Sequence, residues 1–410
     1  MAKYAMFSTP GHGHVNPTLA LTQELVARGE QVIYYLTDEF RPAVEATGAT
    51  FRSYSKEMFW DSQANTPGKK ADMSFLFGRM MKTLIQASNR MLPLFLEEIR
   101  EAQIDCILYD TMFLPAALLS QILHLPTVAL CSSYVSNEYS DRHQFQFGLN
   151  QFMPDPQRFL QSMASLNEDL TSLYKTYNLE PVDLRTLRKD AKDLNIVFLP
   201  RAFQPAGDTF DERFVFVGPS LQTQRYYSGD FPLERLGKRP QLYISLGTAF
   251  NNQPEFYNLC FDAFGQTEWQ VVLALGTRVD LAALKEPPAN FILAPHVPQL
   301  QVLGQTDVFV SHGGMNSTME SLTFGVPLVV IPQMVEQGMT ARRVRELGLG
   351  LALDMETLTS ESLRAAVAQV AHEPTIRTNL HEMQREIHEA GGYQRAAEAI
   401  MAYMHKSKHA

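Results

Sequence analysis

VFVSHGGMNSTMESLTFGVPLVVIP, residues 308–332, is the stretch whose reading decides the architecture. A short β-branched run, VFVS, breaks at His312-Gly313-Gly314, and Met315-Asn316-Ser317-Thr318 then reads as a capped helix start with Glu320 on its first turns. A second apolar run, PLVVIP (327–332), follows. Two strands joined through a helix must run the same way, so this is a parallel β-α-β unit. The rhythm extends upstream through QLYISLGT (241–248), QVVLALG (270–276) and NFILAP (290–295). A separate series precedes it: YAMFS (4–8), QVIYYLT (31–37), TFRSYS (50–55), CILYD (106–110), TVALC (127–131), NIVFLP (195–200) and RFVFVGP (213–219). The polar, turn-rich stretch 222–240 separates the two series. The expected fold class is α/β, with two Rossmann-like, doubly wound β/α/β domains facing across a cleft. The expected boundaries are 1–220, a linker at 221–240, and 241–385.

A chain of 410 residues is too long for one compact core, which agrees with two domains. Its formal net charge is −9 and it holds no Lys/Arg-rich run, which argues against a nucleic-acid or anionic-membrane partner. A phosphorylated ligand is still compatible with an acidic chain, because backbone N–H groups at a helix start can hold it. Cys106, Cys131 and Cys260 are odd in number and widely spaced, unlike a disulfide framework or a zinc site. The apolar window 113–131 is interrupted by Ser120, Gln121, His124 and two prolines, so it reads as a buried helix and strand rather than a membrane span. The first residues lack a secretory pattern, and the expectation is a cytoplasmic monomer.

Two places carry candidate chemistry. The first is Pro10-Gly11-His12-Gly13-His14-Val15-Asn16-Pro17, after the first strand, with Asn16-Pro17 expected to open the helix. His14 reads equally as a packing histidine beside a helix start or as a general base. Asp110, at the end of CILYD, is either a strand-end cap or the carboxylate that orients His14; Asp105 lies at the opposite end of the same strand. The second place is 308–320, where a strand, a glycine turn and a helix start form the arrangement that binds phosphate through amides and the helix dipole. Ser317 and Thr318 can add hydroxyls, and Glu320 can accept from a ribose diol. The GxxxxGK[ST] signature is absent, which excludes an ordinary P-loop.

Residues 296–337 closely resemble the donor-binding signature of family-one UDP-glycosyltransferases, in particular the bacterial macrolide and flavonoid enzymes. GHGHVNPTLAL (11–21) and FVGPS (216–220) resemble the same group. The resemblance implies the GT-B fold, with a C-terminal helix at about 386–405 crossing back to the first domain. It implies His14 as catalytic base and Asp110 as its orienting acid. It places Gln299 on the nucleoside, Glu320 on the ribose, and His312, Gly314, Asn316 and Ser317 on the diphosphate, with Thr248 of the SLGT turn nearby. Glu336 and Gln337 fall on the pair that reads the sugar hydroxyls. His296, with Val297 beside it, stands where many members carry a Trp that stacks on uracil; histidine stacks over less area. Met315 likewise replaces a Trp of the plant signature.

The reaction so implied is metal-independent and inverting. It moves a sugar, glucose in the first instance, from a UDP-sugar to a hydrophobic hydroxylated acceptor, with no cofactor and no metal. No Asp-x-Asp occurs in the chain. The acceptor class rests on Met- and aromatic-rich segments, with Met58, Phe59, Trp60, Phe75, Phe77, Met80, Met81, Phe145 and Phe147, whose ordinary role is packing. Two rivals remain. A nicotinamide oxidoreductase would use Gly11-His12-Gly13, but Asn16 replaces the third glycine of G-x-G-x-x-G. A GT-B homologue without catalytic activity would bind UDP without turnover.

Overall fold

The computed structural model describes residues 1–59, 73–140, 156–183, 193–221, 230–237, 240–248 and 250–407. The chain divides into two compact units, Met1–Gln222 together with Ala390–Ala410, and Thr223–Glu389. The linker expected at 221–240 falls in large part on 222–229 and 238–239, outside the described residues. So do Trp60, Phe145 and Phe147, and the side chains of Phe59, Phe75, Phe77 and Met80; Met81 is buried.

The first unit is built on a seven-stranded sheet in the order β3-β2-β1-β4-β5-β6-β7, every described pairing parallel. Its strands are β1 (Lys3–Phe7), β2 (Gln31–Leu36), β3 (Thr50–Ser53), β4 (Cys106–Asp110), β5 (Thr127–Cys131), β6 (Leu194–Val197) and β7 (Phe214–Phe216). β4 and β5 are buried along their whole length, as strands covered on both faces must be. The helix α1 (His12–Ala27) returns from β1 to β2; α2 (Met73–Ala102), α3 (Leu114–Leu123) and α4 (Pro156–Thr176) make the later crossovers. The 113–131 window is the expected buried helix and strand.

One boundary differs from expectation. Asn16-Pro17 does not open α1; the helix begins at His12, and Pro17 lies inside it. Gly11 is extended, and its carbonyl accepts from both His14 N (2.9 Å) and Val15 N (3.0 Å). The chain is therefore already turned into a helix when Asn16 is reached, and Asn16 has no capping position left to fill.

The second unit repeats the plan with six strands in the order β10-β9-β8-β11-β12-β13, again parallel throughout. They are β8 (Gln241–Ser245), β9 (Gln270–Ala274), β10 (Phe291–Ala294), β11 (Val308–Ser311), β12 (Leu328–Val330) and β13 (Gly350–Ala352). The last escapes the sequence reading because it has three residues and starts on a glycine. That glycine is required: a Cβ on Gly350 would lie 2.0 Å from the Leu328 carbonyl oxygen of the neighbouring strand. The helices here are α5 (Pro254–Phe264), α6 (Gln299–Leu303), α7 (Met315–Thr323), α8 (Val335–Glu346), α9 (Ser360–His372) and α10 (Pro374–Ala390).

Residues 386–390 belong to α10 rather than to the last helix. Gly391 and Gly392, at φ +83° and +56°, break the chain there, and α11 (Gly392–Ser407) starts anew. Gly392 N donates to Val217 O (2.7 Å), and Ala396, Ala397, Ile400 and Met404 enter the core that holds Val15 and Leu19 of α1. Ile400 is fully buried there. Ile400→Ala should destabilise the first unit by about 2–5 kcal/mol, seen as a lower melting transition by calorimetry; an unchanged transition would mean that α11 contributes nothing to this core.

Candidate active site: two strand-end clusters

In both sheets the strand order reverses between two neighbouring parallel strands, β1 and β4 in the first and β8 and β11 in the second. At such a point the loops leave on opposite faces of the sheet, and ligands bind at the carboxyl ends of the strands. The candidate residues gather at both places, and each cluster is built within its own unit.

In the first unit β1 pairs with β4 so that Phe7 faces Tyr109, which brings the loop after β1 beside Asp110. His14, half-exposed on the first turn of α1, sets Nδ1 at 2.7 Å from Asp110 Oδ2. Asp110 is 1% exposed, and its other oxygen accepts from Thr9 Oγ1 (3.1 Å) and from Met112 N (2.8 Å). A carboxylate so fully hydrogen-bonded is fixed in place. With Asp110 ionised, Nδ1 carries the imidazole proton and Nε2 is the basic nitrogen. His12 turns elsewhere, its ring edge-on to Phe40 at 5.1 Å. Asp105 is at the far end of β4, accepting from Lys3 N (2.8 Å), so it plays no part.

Thr9 and Ser132 were missed in the sequence. Ser132 follows β5, the strand beyond β4, and its Oγ is 3.2 Å from His14 Nδ1. The one available signal was position, a polar residue at the carboxyl end of the next strand.

In the second unit two serines end adjacent strands in the same way. Ser245 and Ser311 are paired in register; Ser245 Oγ accepts from Gly247 N and Ser311 Oγ from Gly313 N, both at 3.2 Å. Each closes a tight turn on a glycine at positive φ, +76° and +84°. His312 lies between two glycines: a Cβ on Gly247 would be 2.5 Å from its Cε1, and one on Gly314 only 2.4 Å from its Nε2. Desolvation lowers the pKa of His312 to about 4, against the smaller opposing pull of the Ser245 backbone. It is therefore neutral at pH 7.

α7 starts at Met315, with Gly314 as N-cap and no side chain capping its amides. Asn316, Ser317 and Thr318 thus form the first turn rather than the cap. Asn316 and Ser317 are half-buried, while Met315 packs inside and Thr318 is fully buried. Thr318, expected as a hydroxyl donor to a ligand, is fully buried in the helix start, and its Oγ1 has no hydrogen-bonding partner.

Gln299, the first residue of α6, accepts from Tyr243 Oη (2.8 Å) and donates to Ser317 Oγ (3.3 Å) and to the Glu320 carboxylate. Glu320 is 1% exposed. Tyr243 is stacked on Phe309 at 4.5 Å, and burial pushes its phenol pKa well up, so it stays a donor. Nothing in QLYIS marks this tyrosine beforehand. Thr248 and His296 are exposed, and Val297 is half-buried. Glu336 is exposed; Gln337, in the first turn of α8, is buried and its Oε1 accepts from Gln333 N (2.8 Å) in the loop before that helix.

Two doubly wound parallel units, each with a polar turn at its switch point, are the architecture of a GT-B transferase. The comparisons agree. The family described as Erythromycin biosynthesis protein CIII-like, C-terminal domain, matches residues 258–399. The NDP-glycosyltransferase YjiC of Bacillus licheniformis is 42% identical over 98% of this chain and 97% of its own. The demethyllactenocin mycarosyltransferase of Streptomyces fradiae is 33% identical over 98% of this chain and 86% of its own. Among solved structures, the calicheamicin glycosyltransferase CalG4 superposes with a TM-score of 0.80 at 30% identity, over 99% of each chain. The chain belongs to the family-one GT-B glycosyltransferases, enzymes that transfer a sugar from a nucleotide sugar. Among the described residues no helix is long and apolar enough to cross a membrane.

The His312 environment sets a pH dependence. Its folded pKa of about 4 lies below the ordinary 6.5, so between those values the unfolded chain binds the extra proton. Stability of the second unit should be full above pH 6.5 and fall as the pH drops toward 4, by at most about 3 kcal/mol from this residue. Denaturant unfolding of wild type and His312→Asn across this range checks it: the variant should lose less, and parallel curves would refute the assignment.

Proposed function

We propose that this enzyme transfers a hexose, glucose in the first instance, from a UDP-sugar to a hydroxyl of an apolar small molecule, with inversion and without a metal. The single observation that carries the reading is the 2.7 Å hydrogen bond from His14 Nδ1 to the buried Asp110. It is what a general base needs: a proton held on one nitrogen, a lone pair on the other, and an anion to stabilise the imidazolium that forms.

In this reaction His14 Nε2 takes the proton of the acceptor hydroxyl as its oxygen bonds to the anomeric carbon. The bond from that carbon to the diphosphate oxygen breaks on the opposite face, and the electron pair leaves with UDP. An α-linked donor so gives a β-glycoside. The negative charge that develops is met by the first-turn amides of α7, which no side chain caps, and by Ser317. His312, being neutral, offers the diphosphate a hydrogen bond rather than a charge. The helix start takes the part of a metal, in keeping with a sequence free of Asp-x-Asp. Gln299 and Glu320, already locked together, suit the uridine, Glu320 on the ribose and Gln299 on the base. An apolar acceptor is supported by the names of relatives such as the oleandomycin glycosyltransferase of Streptomyces antibioticus, 31% identical over 98% of this chain.

The test is UDP release from UDP-glucose, with dTDP-glucose beside it, against phenolic and macrolide acceptors in EDTA. Acceptor-dependent turnover should persist in EDTA, and anomeric analysis should give the β-product. His14→Ala should lower kcat by roughly 10²–10⁴-fold. Asp110→Asn should cost a similar factor, because its amide donates to Nδ1 and drives the proton onto Nε2. Turnover untouched by either change would refute the base assignment. UDP binding without turnover would favour the non-catalytic homologue.

A further inference from the structure

We propose that Gln333 reads the transferred sugar and so determines which nucleotide sugar this enzyme accepts; the inference rests on the donor reading above. Gln333 lies three residues beyond the end of β12, in the loop that leads into α8. Both ends of its side-chain amide, Oε1 and Nε2, are shut off from solvent and have no hydrogen-bonding partner. An amide buried with neither its donor nor its acceptor met is costly to keep, and folded proteins hold few. Methionine would fill the same space without that cost, so packing does not explain a glutamine here.

The surrounding loop says what the amide is for. The Gln333 backbone N–H donates to Gln337 Oε1 at 2.8 Å. That bond engages one lone pair of the Gln337 oxygen and fixes its side-chain amide against the Gln333 backbone. A sugar hydroxyl is best read by one group that donates and one that accepts, and the Gln333 amide holds both. The two elements that flank this loop, the end of β12 and the first turn of α8, are packed on the glycine turn of the diphosphate site. A Cβ on Gly313 would meet Val330 Cγ1 at 2.7 Å and Gln337 O at 3.2 Å. A group carried on a diphosphate held by residues 312–317 therefore falls beside the loop that carries Gln333. Rotation about its unbranched side chain turns the amide to such a group, and an unpaired state is exchanged for a paired one. A site so built rejects sugars that leave the amide unmet.

The experiment compares wild type, Gln333→Met and Gln333→Glu in three measurements: melting temperature, Kd for UDP, and KM and kcat for UDP-glucose and its 4-epimer UDP-galactose. Gln333→Met should melt no lower than wild type and bind UDP within about twofold. Its KM for UDP-glucose should rise ~10-fold or more, with a smaller change in kcat, and its preference between the epimers should narrow. Gln333→Glu, which keeps an acceptor and loses the donor, should fall between the two. An unchanged KM and epimer preference in Gln333→Met overturns the proposal. So does a loss of UDP affinity or of melting temperature in step with the rise in KM, since the residue would then serve the nucleotide or the fold. A wild-type enzyme that neither binds UDP nor turns over a UDP-sugar overturns the donor reading itself, and is told apart because it fails before any variant is made.

Discussion

His14 and Asp110 are ninety-six residues apart in the chain, and their hydrogen bond depends on one fact of sheet assembly: β1 lies next to β4. Strands β1, β2 and β3 are laid down in one direction from β1, and β4 to β7 in the other. The reversal brings the loop after β1 beside the end of β4, at the same edge of the sheet. Parallel pairing then puts every strand's carboxyl end on that edge, so Thr9, His14, Asp110 and Ser132, from three neighbouring strand ends, converge without any local sequence relation. Had β2 been inserted between β1 and β4, the same residues would form no cluster.

The second unit shows the same constraint with different chemistry. Register places Ser245 opposite Ser311, and each hydroxyl closes a glycine turn of its own strand. The two turns then sit close enough that the ring of His312 fills the space left by the missing side chains of Gly247 and Gly314. This packing is also what desolvates the histidine and keeps it neutral. A neutral, rigidly packed imidazole can donate one hydrogen bond to an anion without first giving up a proton. Gly247 is thus needed for two reasons, the turn itself and the room for the ring, and Gly314 for the room alone.

Much of this was legible beforehand. VFVS-HGG-MNST and the apolar runs around it identified parallel β/α units, because β-branched runs ending in glycine turns have few other readings. The GHGH turn and the acid that ends CILYD marked His14 and Asp110 as candidates, though the residues alone left a packing role open for both. What escaped were features whose signal is spread over the fold. Ser132 and Tyr243 carry no motif, since a serine after a strand and a tyrosine within one are common. The start of α1 was misplaced because Asn-Pro is a good local opening, and the Gly11 carbonyl, turned inward by the β1 loop, took precedence. Asn316, Ser317 and Thr318 look alike in the sequence, and only helical phase shows that Thr318 is fully buried while the other two are half-buried.

The sequence by itself determined the element types, the two parallel sheets and the residue kinds at their strand ends, since these follow from local periodicity, turn chemistry and burial of apolar runs. The tertiary structure alone decided which of those residues meet. It chose His14 over His12 for Asp110, tied Gln299 to Glu320, and bonded the Gln337 side chain to the backbone of Gln333. The reason is physical. Hydrogen bonds reach about 3 Å, and at that range the outcome depends on strand order, register and helical phase, which are set by packing across the whole sheet rather than by any neighbouring residue.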